Sequence, residues 1–149
     1  MAMQIRPIRF SDFAERAQEL ARDHWRETEA GFSSTPPALD VAAYLTLERA
    51  GALLLLGAFE GDALIGYSAA TLCRHPHYGF PCAFHDGLFL ASKHRNGMAG
   101  VRLIRATEAE AKARGAKGIS WHAKLDSTFE SLMVRLGAEP VETVFWKEL

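Results

Sequence analysis

The spacing of hydrophobic and polar positions in the N-terminal third predicts one strand followed by two helices. Residues 3–8 alternate apolar with polar, as a short strand does, and Pro7 restricts that strand to a sheet edge or a strand end. Apolar positions at helical spacing begin after Ser11 and again after Asp40, and both residues are good helix N-caps. Residues 31–37 are rich in Gly, Ser and Pro and therefore predict a loop between the two helices.

The middle of the chain predicts an antiparallel meander of three strands. The continuous apolar run over residues 52–59 is typical of a strand buried on both faces. Residues 60–62 read Glu-Gly-Asp, a tight turn that returns the chain as the second arm of a hairpin over residues 63–73. A loop over residues 75–81 then leads to a third strand over residues 82–91.

The remaining pattern predicts helix, strand, helix and strand. The helix covers residues 99–113, the next strand 118–123, the last helix 128–136, and a closing strand 140–147. The strand before residue 92, the following helix and the strand after it form a βαβ crossover, which makes a parallel pair. We therefore expect a single domain over residues 1–149, of α/β or α+β class. Its central sheet is mixed and mostly antiparallel, with one parallel βαβ pair and helices on both faces.

Composition is that of an ordinary globular protein, with 48% hydrophobic and 23% charged residues. No apolar run approaches the roughly 20 residues that span a bilayer, and the N-terminus lacks the apolar stretch of a signal peptide. We therefore expect a cytoplasmic protein that does not interact with a membrane. The two cysteines, Cys73 and Cys82, are too few for a disulfide scaffold and are expected to be reduced thiols.

Charge is unevenly distributed along the chain. The net charge of −1 argues against a nucleic-acid partner. Between Lys93 and Lys117, however, seven cations face two anions, a net of +5, so the rest of the chain carries −6. Such a local positive field suits a small anionic ligand, and the alternative is a solvated helix surface with paired charges.

The segment between the third meander strand and the next helix reads Arg-Asn-Gly-Met-Ala-Gly. The first N–H groups of a helix have no partner within the helix and attract anions, and glycines let the backbone approach phosphate oxygens. The segment matches neither the Gly-x-x-x-x-Gly-Lys-Ser/Thr nor the Gly-x-Gly-x-x-Gly pattern. A plain turn before a helix is the alternative. The candidate phosphate-binding residues are Arg95, Asn96, Gly97, Met98, Ala99 and Gly100.

Residues 82–137 resemble the GNAT superfamily of N-acetyltransferases. That family carries Arg/Gln-x-x-Gly-x-Gly/Ala after its fourth strand, followed by a Leu-Leu-like pair. Here Arg95 fits the first position, Gly100 the last, and Leu103-Ile104 the pair. Met98 departs from the pattern because it stands where the middle glycine is usual. The final predicted helix is similar too, since it closes in Leu-Gly-Ala where the family has Leu-Gly-Phe.

The resemblance implies an enzyme that moves an acetyl group from acetyl-CoA to a primary amine, without a metal. It implies that the main chain of Leu88 and Leu90 pairs with the pantetheine arm and that the Leu90 N–H polarises the thioester carbonyl. Asp126 stands where the family has a cofactor-contacting asparagine. Met133 stands where many relatives have the tyrosine that protonates the departing thiolate. Family members often form homodimers, which makes a homodimer an option for this chain.

Transfer to an amine requires a base, because an ammonium has no lone pair. His85 and Asp86 precede the transfer site on one strand and point to opposite faces, unless a bulge at Gly87 intervenes. His122 follows the partner strand, and Glu142 lies on the predicted closing strand. An imidazole titrates near neutral pH, which suits this task. The four residues stay open as candidates.

Two other interpretations remain open. Six potential zinc ligands fall within fourteen residues, although their spacing matches no common zinc pattern; they are Cys73, His75, His77, Cys82, His85 and Asp86. The second interpretation is a catalytically silent acyl-CoA-binding or sensor module. It is supported by the methionines at positions 98 and 133. The acceptor cannot be read from the sequence, because the N-terminal helices and the 75–81 loop would select it.

Overall fold

A computed structural model describes residues 2–31, 33 and 35–149; Phe32 and Ser34, in the predicted 31–37 loop, lie outside the described residues, as does Met1. The elements are β1 (Gln4–Pro7), α1 (Phe10–Arg16), α2 (Gln18–Thr28), α3 (Val41–Arg49), β2 (Leu53–Glu60), β3 (Ala63–Arg74), β4 (Pro81–Leu90), a 3₁₀ turn (Ser92–His94), α4 (Ala99–Ala113), β5 (Ile119–Ser120) and α5 (Thr128–Arg135).

The described strands form one sheet in the order β1-β2-β3-β4-β5. The first three pairings are antiparallel, and β4 pairs with β5 in parallel. Helices α1 to α3 cover one face, where Phe10 and Phe13 pack against Leu55 and Tyr67. Helix α4 covers the other face, where Leu103 packs against Ala58. The predicted mixed, mostly antiparallel fold with one parallel βαβ pair and helices on both faces is confirmed.

Three predicted elements differ from the structure. The closing strand over residues 140–147 is wrong, because that segment has no regular structure and Val141, Phe145 and Trp146 are more than 80% exposed. An apolar segment forms a strand only where a neighbouring strand pairs with its backbone. None of the described strands pairs with this segment. The predicted strand 118–123 shortens to two residues. The first predicted helix is two helices that meet at Ala17, whose backbone (φ −95°, ψ 4°) departs from helical values.

A buried hydroxyl pair joins α4 to the sheet. The Thr107 and Ser68 hydroxyl oxygens lie 2.8 Å apart, and both residues are fully buried. We expect Thr107→Val to lower the free energy of unfolding by about 1–3 kcal/mol, because Ser68 loses its buried partner. Urea denaturation measures the change. The matched control is the Thr107→Val, Ser68→Ala double variant, which should lose less than the sum of the two single losses; strictly additive losses would contradict the pairing.

Candidate active site

Asp86 is the extra residue of a β-bulge in β4. Ala69 pairs with Gly87 and Ala70 with His85, so Asp86 has no partner on β3. The bulge changes the alternation of side chains, because Ala70 belongs to the cluster on the α4 face and Ala69 to the cluster on the α1–α3 face. His85 therefore lies on the α4 face, whereas Gly87 lies on the opposite face. A bulge was predicted at Gly87, and the structure places its extra residue one position earlier, at Asp86.

A cavity of about 290 Å³ opens beside this bulge on the α1–α3 face, and we call it the bulge pocket. Its lining is mostly aromatic and apolar, with carboxylates from Asp86 and Glu29: Phe10, Phe13, Ala21, His24, Trp25, Thr28, Glu29, Pro37, Leu39, Tyr44, Leu55, Tyr67, Ala69, Asp86 and Gly87. A cavity with apolar walls and a few converging polar groups is the usual form of a small-molecule site.

The hydroxyl groups of two tyrosines belong to the polar side of the bulge pocket. The Tyr44 hydroxyl donates a hydrogen bond to Asp86 Oδ2. Burial raises the pKa of Tyr44, and the hydrogen bond to Asp86 raises it further. Burial also raises the pKa of Tyr67, and the charge of Asp86 adds to that effect. Both phenols therefore remain protonated near neutral pH and serve as hydrogen-bond donors or acceptors rather than bases.

His24 completes this side of the pocket. Its Nδ1 atom lies 2.6 Å from the Tyr67 hydroxyl, and its ring stacks on Phe89 with centroids 5.0 Å apart. Burial lowers the pKa of His24, although Glu29 and Glu27 act against the shift. Because the His24 imidazole and the Tyr67 phenol are both neutral, the charges that face the cavity are those of Asp86 and Glu29. Sequence reasoning did not assign these roles, because no local motif joins residues of α2, α3 and β3.

The segment before α4 presents unpaired backbone amides. Gly97 adopts a positive φ of 52°, and no side chain caps the helix at Met98. Ala99 N–H donates to Asn96 O, but the amides of Gly97, Met98, Gly100 and Val101 find no acceptor among the described residues. A Cβ built on Gly100 would meet no atom within 4 Å. Open, unpaired amides at a helix start are what an anion requires.

Arg95 does not extend over this segment. Its Nε donates to Leu90 O at 2.6 Å, and its guanidinium contacts Glu27 of α2 at 2.8 Å. The guanidinium carbon also lies 4.9 Å from the centroid of the Phe89 ring. Arg95 therefore ties α2 to the end of β4. A phosphate contact of its side chain, as the sequence predicts, would require it to leave Glu27, and that contact stays a prediction.

Strands β4 and β5 separate beyond a short parallel contact, and we call the gap the strand fork. Pairing covers Ala83 with Ile119 and Phe84 with Ser120. Beyond it, β4 continues to Leu90 and stays paired with β3, but no described strand pairs with its β5-facing edge. Ala91 N–H donates to Ile65 O of β3, so the amide of the preceding residue points to the fork, because neighbouring amides alternate. The same alternation turns the main chain of Leu88 towards the fork.

Aromatic and imidazole rings close the narrow end of the strand fork. The His85 ring lies 5.1 Å from Trp121 and 5.9 Å from Phe129, measured between centroids. His122 N–H donates to His85 Nδ1 at 3.2 Å. Burial lowers the pKa of His85 to about 4, so its ring is neutral near pH 7. With Nδ1 accepting a hydrogen bond, the neutral ring carries its proton on Nε2.

The remaining predicted site residues lie apart from the bulge pocket. Asp126 has a positive φ of 57° and its N–H donates to Glu130 Oε2 at 2.6 Å, in the turn before α5. Glu142 lies in the exposed C-terminal segment. Cys73 is exposed on β3, and the buried Cys82 directs its thiol to Cys73 O. Within the described residues, no three His, Cys, Asp or Glu side chains come together as a metal-binding group.

A sequence model of the acetyltransferase (GNAT) family matches residues 17–132. No curated protein sequence matches closely enough to count as a relative. None of the described helices has the length and apolar character needed to cross a membrane.

Several solved structures share the fold. An aminoglycoside acetyltransferase, HMB0005, from an uncultured soil metagenomic sample has a TM-score of 0.77 and 19% identity, over 100% of this chain and 99% of that one. A ribosomal-protein-alanine N-acetyltransferase from Brucella melitensis has a TM-score of 0.76 and 19% identity, with the same coverage. The aminoglycoside N-acetyltransferase AAC(6')-Iy in complex with CoA has a TM-score of 0.74 and 19% identity, over 99% and 95% of the chains.

Proposed function

The chain belongs to the acetyltransferase (GNAT) family, and on that premise we propose that it transfers an acetyl group from acetyl-CoA to a primary amine held in the bulge pocket. One observation carries the proposal. The open main-chain edge of β4 runs from the unpaired amides before α4 to the bulge at Asp86, and the pocket opens beside that bulge. A donor thioester along this edge would meet an acceptor in the pocket.

Acetyl-CoA binding rests mainly on the backbone. The diphosphate accepts hydrogen bonds from the amides of Gly97, Met98 and Gly100, while Asn96 and Ala99 hold the turn that exposes them. The pantetheine arm pairs with the fork-facing main chain of Leu88 and Leu90. Main-chain recognition of this kind explains why Met98 can replace a glycine, since its side chain is 63% exposed and leaves the amide free. Arg95 and Asp126 contribute less, because the Arg95 guanidinium and the Asp126 N–H already have partners.

Asp86 is the proposed base among the four candidates. It lines the pocket, is open to solvent, and lies at the bulge where the two substrates would meet. An ammonium bound against its carboxylate gives up a proton to Asp86, directly or through water. The free amine then attacks the carbonyl carbon, the Leu90 N–H stabilises the charge that develops on the carbonyl oxygen, and the C–S bond breaks. His85, His122 and Glu142 do not line the pocket.

The lining of the bulge pocket favours a compact amine with an apolar or aromatic body. Aromatic rings attract cations through their faces, and Asp86 and Glu29 supply negative charge. The cavity volume is at the lower end of the range for small-molecule sites, about 300–1,000 Å³. Aminoglycosides and ribosomal-protein alanine, named for two of the structural neighbours, belong in the test panel as larger acceptors.

The test is release of the CoA thiol over a panel of aryl-alkyl amines, polyamines, amino acids, aminoglycosides and peptides. We expect thiol release with at least one compact amine, together with its N-acetyl product by mass spectrometry. Calorimetry of CoA binding runs alongside. Absence of CoA binding would overturn the proposed acetyl transfer, together with the cofactor contacts and the role of Asp86 as the base. CoA binding without thiol release from any amine would favour the silent or sensor module, which the burial of Met133 in place of a titratable side chain supports.

A further inference from the structure

The lining of the bulge pocket contains two carboxylates, and the proposed chemistry uses one of them. Asp86, the extra residue of the β4 bulge, receives the ammonium that reacts. Glu29 lines the same pocket from the end of α2. Both residues are open to solvent, so a substrate can reach either carboxylate. An amine with one positive charge, held at Asp86, gives Glu29 no partner in the substrate.

The electrostatic fields of the two carboxylates overlap inside the pocket. Burial raises the pKa of Tyr67, and the charges of Asp86 and then Glu29 raise it further. Burial lowers the pKa of His24, and the charge of Glu29 is the largest effect in the opposite direction. Because the His24 Nδ1 atom lies 2.6 Å from the Tyr67 hydroxyl, this neutral pair is within the field of both carboxylates. The two negative charges therefore act on one cavity rather than on separate sites.

The end of α2 adds to the attraction for a cation at Glu29. The helix ends at Thr28, and Glu29 is its C-cap residue. The C-terminal end of a helix carries a partial negative charge, which favours cations and disfavours a carboxylate. Glu29 therefore does not stabilise the helix, and its charge adds to that of the helix end. This arrangement concentrates negative charge at one position of the pocket lining.

Lys124 offsets only part of this charge. Its Nζ atom lies 3.7 Å from Glu29 Oε1, which is longer than a hydrogen bond, and about half of each side chain is exposed. Exposed ion pairs of this kind contribute little to stability. Lys124 does not belong to the pocket lining. An ammonium inside the pocket is therefore able to compete with Lys124 for Glu29.

Resting on the proposed function, we infer that the acceptor is a diamine, with the reacting amine at Asp86 and a second ammonium at Glu29. The aromatic lining packs against the methylene spacer. An apolar tail would remove water from Glu29 without replacing its hydrogen bonds, whereas an ammonium supplies a charged one. The transfer step is unchanged. The amine at Asp86 loses a proton and takes the acetyl group, the CoA thiolate leaves, and the second ammonium keeps its protons.

The first experiment uses the wild type and a series of α,ω-diamines of increasing length. Each diamine is compared with the monoamine and the amino alcohol of the same length, after division by two for its two equivalent amines. At one length we expect kcat/KM to favour the diamine about fivefold or more, which is the upper end for an exposed ion pair. The preference should decrease as salt is added. The monoacetylated product should accumulate, because it has lost one ammonium.

The second experiment assigns the preference to Glu29. Glu29→Gln should bring the ratio of kcat/KM for the diamine to that for the monoamine close to one, because the amide keeps the shape and removes the charge. Glu19→Gln, at an exposed position of the same helix, is the matched control and should leave the ratio unchanged. Lys124→Gln should raise the ratio, because it removes the competing cation. Thermal unfolding checks the fold of each variant.

Equal kcat/KM for diamine, amino alcohol and monoamine at every length would overturn the inference, while transfer to the monoamine would still support the proposed function. A preference that persists in Glu29→Gln, or decreases in Lys124→Gln, would also overturn it. Should Glu29→Gln not fold, the wild-type comparison and its salt dependence decide the matter. A wild type that acetylates no amine overturns the proposed function, and this inference with it.

Discussion

Replacement of Asp86 by asparagine is expected to lower kcat/KM for the amine about 10²–10³-fold, within the roughly 10²–10⁴-fold contribution of a positioned base. The amide has almost the same shape and still accepts the Tyr44 hydrogen bond, so the bulge should persist. It carries no charge to hold an ammonium, however, and it cannot take the proton. CoA binding, measured by calorimetry, should not change, because the phosphate-binding amides lie at the other end of β4.

Controls for this variant come from other carboxylates and imidazoles. Asp62→Asn, in the exposed turn between β2 and β3, should leave kcat/KM unchanged. His122→Gln and Glu142→Gln should each stay within about threefold of the wild type, since neither side chain lines the bulge pocket. An Asp86→Asn variant as active as the wild type would remove Asp86 as the base and return the question to the other candidates.

The second large effect is expected from Gly100→Asp. A Cβ at this position meets open space, and an acidic side chain in the first turn of α4 is favourable to the helix dipole, so folding should be retained or slightly strengthened. The same carboxylate would stand where the diphosphate binds. We expect CoA binding to weaken at least about 100-fold, because like charges placed against each other cost several kcal/mol. Calorimetry measures the loss of CoA affinity, and thermal unfolding measures the effect on the stability of the fold.

Gln18→Glu is the matched control, since it adds one negative charge in the first turn of α2, away from the proposed cofactor. It should leave the CoA dissociation constant unchanged at moderate salt. Retention of full CoA affinity by Gly100→Asp would show that the diphosphate binds elsewhere, and it would remove the basis for the cofactor assignment.

Local patterns in the sequence were sufficient for much of the fold. Asp40 caps α3 through the Ala43 N–H as predicted, and the helix predicted over 99–113 has those bounds in the structure. The βαβ crossover yields the parallel pair β4–β5. The cap and the helix bounds depend on residues within one or two turns of each other, so the neighbouring sequence determines them. The parallel pair follows from the general rule for βαβ connections.

The bulge pocket was not predictable from the sequence. Its polar side joins His24, Tyr44, Tyr67 and Asp86, which come from four elements and meet only through packing. Tyr44 sits on the apolar face of its helix, where a tyrosine usually indicates core rather than a site.

The exposed C-terminal segment has an energetic consequence. An apolar side chain stabilises a fold only through the area that it removes from water, and Val141, Val144, Phe145 and Trp146 remain at least 80% exposed. These side chains therefore add almost nothing to the folding free energy of the isolated chain.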